Sequence, residues 1–184
     1  MSPQLNFFFK AATFVGDGVF IFLILFLLLF HNLRLLLTCG VSYAISSFVV
    51  QIMKNFIFPE ALRPRTYFEQ NYKNIKLVLV QGVESLGSFS FPSGHTAAAF
   101  SVFLTLSLFV NNNLLKLLFI LIATVVGLSR IYLSQHFFED VYTGMLIGCF
   151  CSLLIYFYFF HYKVQLGKSK LDISLIKLMQ NRTK

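Results

Sequence analysis

Two histidines in this chain stand among residues that give them chemistry to do. His136 and Asp140 are four apart, a spacing that puts both on one face of a helix, where the carboxylate accepts a hydrogen bond from the imidazole. That bond fixes the tautomer and leaves the other ring nitrogen free as a nucleophile or base. His95 comes from a different apolar segment and can serve as general acid toward a leaving oxygen, a role worth about 10²–10⁴ in rate. One imidazole must then start neutral and the other protonated, which predicts a bell-shaped pH–rate profile. Three cations, Lys54, Arg63 and Arg130, have few acids beside them. Ser93-Gly94-His95-Thr96 opens a helix, with Ser93 as a natural N-cap and Gly94 letting an anion approach free backbone N–H groups. Arginine's planar fork suits phosphate oxygens. A phosphate fits this set best.

The elements that must carry these residues are read from composition. Of 184 residues, 57% are hydrophobic and only 12% charged, with a mean hydropathy of +0.75. An ordinary soluble domain is about 25% charged, so a soluble globular enzyme, a disordered tail and a DNA-binding module are excluded as first readings. Charge-free intervals mark the spans: 16 residues between Asp17 and Arg34, 19 between Arg34 and Lys54, and 22 between Asp140 and Lys163. Segments 96–110 and 117–133 supply two more, separated by the turn Asn111-Asn112-Asn113. A bilayer core takes about 20 helical residues. The expectation is an all-α, polytopic bundle of five transmembrane helices, preceded by an interfacial helix over SPQLNFFFKAATF. It forms a single domain over residues 1–184, with no internal repeat, linker or cleavable signal peptide of the usual form. In the polar stretch 59–91, IKLVLV is a short strand or a cap on the membrane surface.

Five spans place the Lys54–Arg65, Phe91–His95 and Ser129–Asp140 clusters on one membrane face. Ionisable groups near lipid are expensive, by about 2.5–3.5 kcal/mol each at the bilayer centre, so their convergence points to a site. The other face holds Arg34, Lys116 and the basic tail 163–184, eight basic residues against seven, which makes the tail cytoplasmic and the 59–91 loop external. His31 and His161 lie on that face without a matching acid or arginine and read as satisfied polar residues. The net charge of +8 suits an anionic membrane surface better than nucleic acid. Cys39, Cys149 and Cys151 read as small core residues. There is no HExxH, no cysteine pair at ligand spacing and no carboxylate cluster, so neither metal nor other cofactor is expected.

Taken in order, KNFIFPEALRP (54–64), FPSGHTAAAF (91–100) and SRIYLSQHFFED (129–140) resemble the three motifs of the type 2 phosphatidic acid phosphatase superfamily, the membrane lipid-phosphate phosphatases. The resemblance covers about 51–148; eight residues separate Lys54 from Arg63 where the family has six. It implies metal-independent hydrolysis of a lipid phosphate or diphosphate through a phosphohistidine. His136 matches the nucleophile, Asp140 the residue that orients it and His95 the acid, while Lys54, Arg63, Ser93, Gly94 and Arg130 match phosphate-binding positions. The implied substrates are phosphatidic acid, phosphatidylglycerol phosphate, undecaprenyl diphosphate or lipid A phosphates, met at the outer face of a bacterial inner membrane. The rival readings are a small anion-binding transporter without chemistry and a vanadate-type haloperoxidase, which the apolar composition disfavours.

Overall fold

The computed structural model describes residues 2–72, 77–83 and 87–159; the basic tail and His161 lie outside the described residues. Within them the chain forms seven α-helices and no strand: α1 (Pro3–Phe14), α2 (Gly18–His31), α3 (Leu33–Ile52), α4 (Pro64–Asn71), α5 (Gly94–Phe109), α6 (Asn113–Tyr132) and α7 (Phe138–Phe157). The breaks between them are made by short polar side chains. Asp17 caps α2 by accepting from the Val19 N–H, and Asn32 caps α3 by accepting from Leu35, so one residue separates two apolar helices. Asn112 accepts from Leu114 and Leu115, turning the expected asparagine turn into the start of α6.

Three helical stretches are long and apolar enough to cross a membrane alone: 33–57, which joins α3 to a π-helical turn (Met53–Ile57), then α6 and α7. The α1–α2 pair passes only together, bent by 55° at the break, and α5 has 16 residues. The N-terminal segment lies on the bundle. Phe9 stacks on Tyr132 at 4.2 Å between ring centroids, and Tyr132 donates to Asn6. The 59–91 stretch contains α4, an element not anticipated, started by Pro64 at its first turn. Residues 77–80 are irregular rather than a strand, and Val80 is buried.

At the centre is α5, whose residues 96–103 are all buried and which packs against α3, α6 and α7. Ile21, Leu35, Cys39, Ala98 and Val102 form one part of the core; Ala99, Phe100, Phe103, Ala123 and Val126 form the other. The outer faces of α2, α6 and α7 present Phe22, Phe26, Leu118, Leu121 and Phe150, as a lipid-facing surface does. Glycines set the α5–α7 distance. A Cβ on Gly144 would lie 2.5 Å from the Ser93 carbonyl oxygen, and one on Gly148 2.6 Å from that of Ala97. Small residues at such a contact let two backbones approach within the bilayer. Across it, Thr105 and Ser152 share a hydrogen bond of 2.6 Å.

Gly148→Val is therefore expected to force α7 off α5 and destabilise the fold by about 1–3 kcal/mol, the usual range for overpacking. Gly40→Ala, where an added Cβ meets nothing nearer than 4.0 Å, is the control. Thermal unfolding in detergent should show a lower midpoint for the first and little change for the second.

Candidate active site

The site forms where three connections meet. The first is the end of α6. Ser134 adopts a left-handed conformation at φ 54°, and the N–H groups of Ser134 and Gln135 bond back to the carbonyls of Ile131 and Arg130. This is a Schellman ending with serine at the position glycine usually takes. It turns the chain so that His136 points into the bundle, 3% exposed. His136 thus precedes α7 and does not lie on it, which corrects the expectation of a shared helical face. The contact with Asp140 arises differently. Asp140 is the third residue of α7 and folds back to accept the Phe137 N–H at 3.0 Å, one half of a capping box. The same Oδ2 accepts from His136 Nδ1 at 3.2 Å and from the Ser90 hydroxyl at 2.5 Å.

The second connection runs into α5. The Ser93 N–H donates to the Asp140 carbonyl at 2.9 Å, tying the two motifs together. Ser93 occupies the N-cap position of α5, but its hydroxyl is paired with Thr96 Oγ1 at 2.8 Å and caps no backbone N–H. The first-turn N–H groups remain directed at the site, together with the positive end of the helix dipole.

The third connection is 58–63. Arg63 is 7% exposed; its Nη1 donates to Gln135 Oε1 at 2.9 Å and its Nε to the Ser88 carbonyl. Lys54 lies in the π-helical turn and donates to the Phe89 carbonyl at 2.8 Å. Phe89 is held at φ 57°, a left-handed conformation that a bulky residue rarely takes and that aims this carbonyl inward. Arg130, 7% exposed, donates to Thr13 Oγ1, and its Nε is buried without a partner. Among the described residues none of the three cations pairs with a carboxylate within 4.0 Å. All three, however, act on His136 through their charge. Burial foremost, then Arg130, Lys54 and Arg63, push its pKa from about 6.5 down to about 4, while the Asp140 hydrogen bond pulls upward. His136 is therefore a neutral base at neutral pH.

The structure thus brings together His136, Asp140, Ser93, Arg63, Lys54 and Arg130, with His95 and Gly94 in the first turn of α5. It also adds residues that sequence reasoning missed. Ser90 and Gln135 hold the carboxylate and a guanidinium; Ser90 immediately precedes the second motif and Gln135 lies within the third, next to His136. Asp17 places Oδ2 3.7 Å from His95 Nε2. Gly16 makes that approach possible, since a Cβ there would lie 2.5 Å from Val126 Cγ1 and 3.0 Å from the His95 carbonyl oxygen. The signal for Asp17 was present: an acid at the start of an apolar segment, on the face that carries the other clusters.

Comparison with known proteins fits this geometry. The family model of the PAP2 superfamily matches residues 35–163, more than half of the chain. The chain belongs to the PAP2 superfamily. Over 77 residues this PAP2 chain is 39% identical to phosphatidylglycerophosphatase B of Bacillus subtilis, covering 37% of the chain and 38% of that protein. Over 111 residues it is 30% identical to the lipid A 4'-phosphatase of Bacteroides thetaiotaomicron, covering 60% and 49%. The chain therefore spans less than half the length of these curated relatives. The crystal structure of Aquifex aeolicus LpxE superposes with a TM-score of 0.74 at 28% identity, over 86% of this chain and 88% of that one. The PAP2-type phosphatidylglycerolphosphate phosphatase from Bacillus subtilis, with a TM-score of 0.69 at 22% identity, over 92% of this chain and 82% of that one, shares the fold.

Histidine NMR of the detergent-solubilised protein should find the His136 ring titrating near pH 4. Asp140→Asn removes the contribution that favours the charged ring, so the midpoint should move lower still. A midpoint near the ordinary 6.5, or an upward shift in the variant, contradicts the account of the burial given above.

Proposed function

We propose that this chain is an integral membrane phosphatase that hydrolyses a lipid phosphate through a phosphohistidine, as one domain over residues 1–184. The observation that carries the reading is the buried His136, held by Asp140 and faced by three cations none of which pairs with a carboxylate within 4.0 Å among the described residues. An anion-binding site alone has no need of such a nucleophile.

With Nδ1 engaged by Asp140, Nε2 is the nitrogen left to meet phosphorus. It attacks in line, the N–P bond forms, and the P–O bond to the lipid breaks. His95, which must take up a proton as the anionic phosphate binds beside it, protonates the departing oxygen, and Asp17 Oδ2 lies 3.7 Å from its Nε2 to favour that charged ring. A water then attacks phosphorus, gives its proton to His95, and phosphate leaves as the N–P bond breaks. Arg130, Arg63 and Lys54, with the N–H groups at Gly94 and His95, hold the equatorial oxygens where charge gathers. The groups present complete this cycle without a metal.

The relatives named for phosphatidylglycerophosphate and lipid A support a lipid phosphate as substrate. The reading takes α2 through α7, apart from the surface helix α4, as five spans around the site, with α1 along the interface. The short α2 and α5 then end below the headgroup level, where the polar clusters begin. The face carrying the site is external and the tail cytoplasmic, in a bacterial inner membrane.

Purified protein given phosphatidylglycerol phosphate or phosphatidic acid in EDTA should release phosphate. His136→Ala should lower that rate by at least about 10³-fold, the scale of losing a covalent nucleophile, with an unchanged melting temperature. His95→Ala should cost about 10²–10⁴ on a lipid alkoxide but far less on p-nitrophenyl phosphate, whose leaving oxygen needs no proton. Full activity in His136→Ala would falsify the mechanism.

A further inference from the structure

A polar groove opens beside His95, between α2, α3 and α5, and no residue of α7 lines it. Its volume is about 190 Å³, below the range for a whole drug-sized ligand and suited to a headgroup fragment. One wall is a stripe on α3: Tyr43, Ser47 and Gln51, spaced i, i+4 and i+8 and therefore stacked on one helical face. The opposite wall is nearly bare backbone at Gly16 and Gly18; a Cβ on Gly18 would lie 3.3 Å from the Tyr43 hydroxyl. Polar side chains within a membrane-spanning helix are costly unless they meet something polar.

The groove's position follows the geometry of the reaction. In-line displacement puts the leaving oxygen opposite the attacking nitrogen and next to the acid. The group attached to that oxygen must therefore leave the phosphate past His95. The groove is the space that receives it. Its chemistry limits what that group can be. Two hydroxyls and a carboxamide donate and accept hydrogen bonds but carry no charge. No lysine or arginine is among the described residues that line it, so nothing there would hold a second phosphate. A bare prenyl chain would leave the Tyr43 and Ser47 hydroxyls and the Gln51 amide N–H groups unmatched, although the Gln51 Oε1 already accepts from Asn55 Nδ2 at 3.4 Å.

We infer that this groove binds the leaving group of the substrate and selects phosphomonoesters of a hydroxyl-bearing lipid, with glycerol or a sugar next to the scissile bond, over prenyl phosphates and diphosphates. Tyr43, Ser47 and Gln51 are its specificity-determining residues. This deepens the phosphatase reading and rests on it.

The test compares phosphatidylglycerol phosphate with farnesyl phosphate as probes, in the full-length protein and in the triple variant Tyr43→Phe, Ser47→Ala, Gln51→Met. The ratio of the two kcat/KM values should favour the glycerol ester in the parent. It should fall by about 10- to 100-fold in the variant, the effect of losing up to three neutral hydrogen bonds. A ratio that stays within about twofold, whether both rates persist or both collapse, overturns the inference. Binding gives an answer without turnover. By calorimetry on His136→Ala, sn-glycerol 1-phosphate should bind more tightly than inorganic phosphate, and that margin should vanish when the triple variant is added. Equal binding of the two in His136→Ala overturns the groove. A parent that hydrolyses no probe overturns the phosphatase reading, and the calorimetry still decides whether the groove recognises a polyol.

Discussion

The arrangement depends on an excess of positive charge held where water is scarce. Lys54, Arg63 and Arg130 are bound by neutral acceptors, the Phe89 carbonyl, Gln135 and Thr13 respectively. Asp140, the acid within the site, is already occupied by a backbone N–H, a hydroxyl and an imidazole. Uncompensated ions away from water cost several kcal/mol each even after relaxation. Dipoles can hold such groups in position without cancelling their charge. On the proposed function an incoming phosphate dianion would supply what is missing, and the unpartnered Arg130 Nε marks one place where it would do so. The same cations add to burial, the larger influence, in disfavouring the charged form of His136.

Holding that charge in register falls to the packing of α5 on α7. Ser93 reaches the Asp140 carbonyl because Gly144 and Gly148 let the two helices approach to backbone contact. A widening of that contact would separate the anion cradle at the start of α5 from the His–Asp pair at the start of α7. The Thr105–Ser152 bond lower in the same interface fixes the helices' register by a polar contact that the bilayer strengthens. The site's geometry is thus determined well outside its own residues.

Much of the site was legible in the sequence because its chemistry is carried by residue types that an apolar chain otherwise avoids. Histidine, arginine and lysine at the ends of apolar runs stand out, and their order resembles one family. What the sequence hid is of two kinds. Backbone devices leave little trace: the serine-containing Schellman turn before His136, the π-helical turn around Lys54 and the left-handed Phe89 concern φ and ψ rather than composition. The His136–Asp140 contact was anticipated correctly as a pair but for the wrong reason, since a four-residue spacing serves a helix face and a capped helix start equally well. Long-range neighbours were also hidden. Asp17 lies 78 residues before His95 and Thr13 lies 117 before Arg130, and only the fold brings each pair together. The span count is limited by length: α2 and α5 are too short to be recognised as crossings one by one.

The N-terminal corner explains why those short helices are useful. Asp17 caps α2 with Oδ1 and faces His95 with Oδ2, so the residue that begins the helix also addresses that imidazole. Had α2 continued toward the surface for another turn, that carboxylate would have been carried past the first turn of α5. Gly16 and Gly18 flank it, and their missing side chains serve two different spaces, contact with Val126 and His95 on one side and the polar groove on the other. In the proposed reaction the cations would gather the phosphate, the His136–Asp140 pair would attack it, and the corner between α1 and α2 would shape the path by which the rest of the molecule leaves. On this proposal affinity and chemistry would be concentrated in charged residues that the motifs contain. Discrimination among substrates would be left to uncharged ones on α3, where a change of side chain would alter the leaving group's fit without disturbing the charge balance of the site.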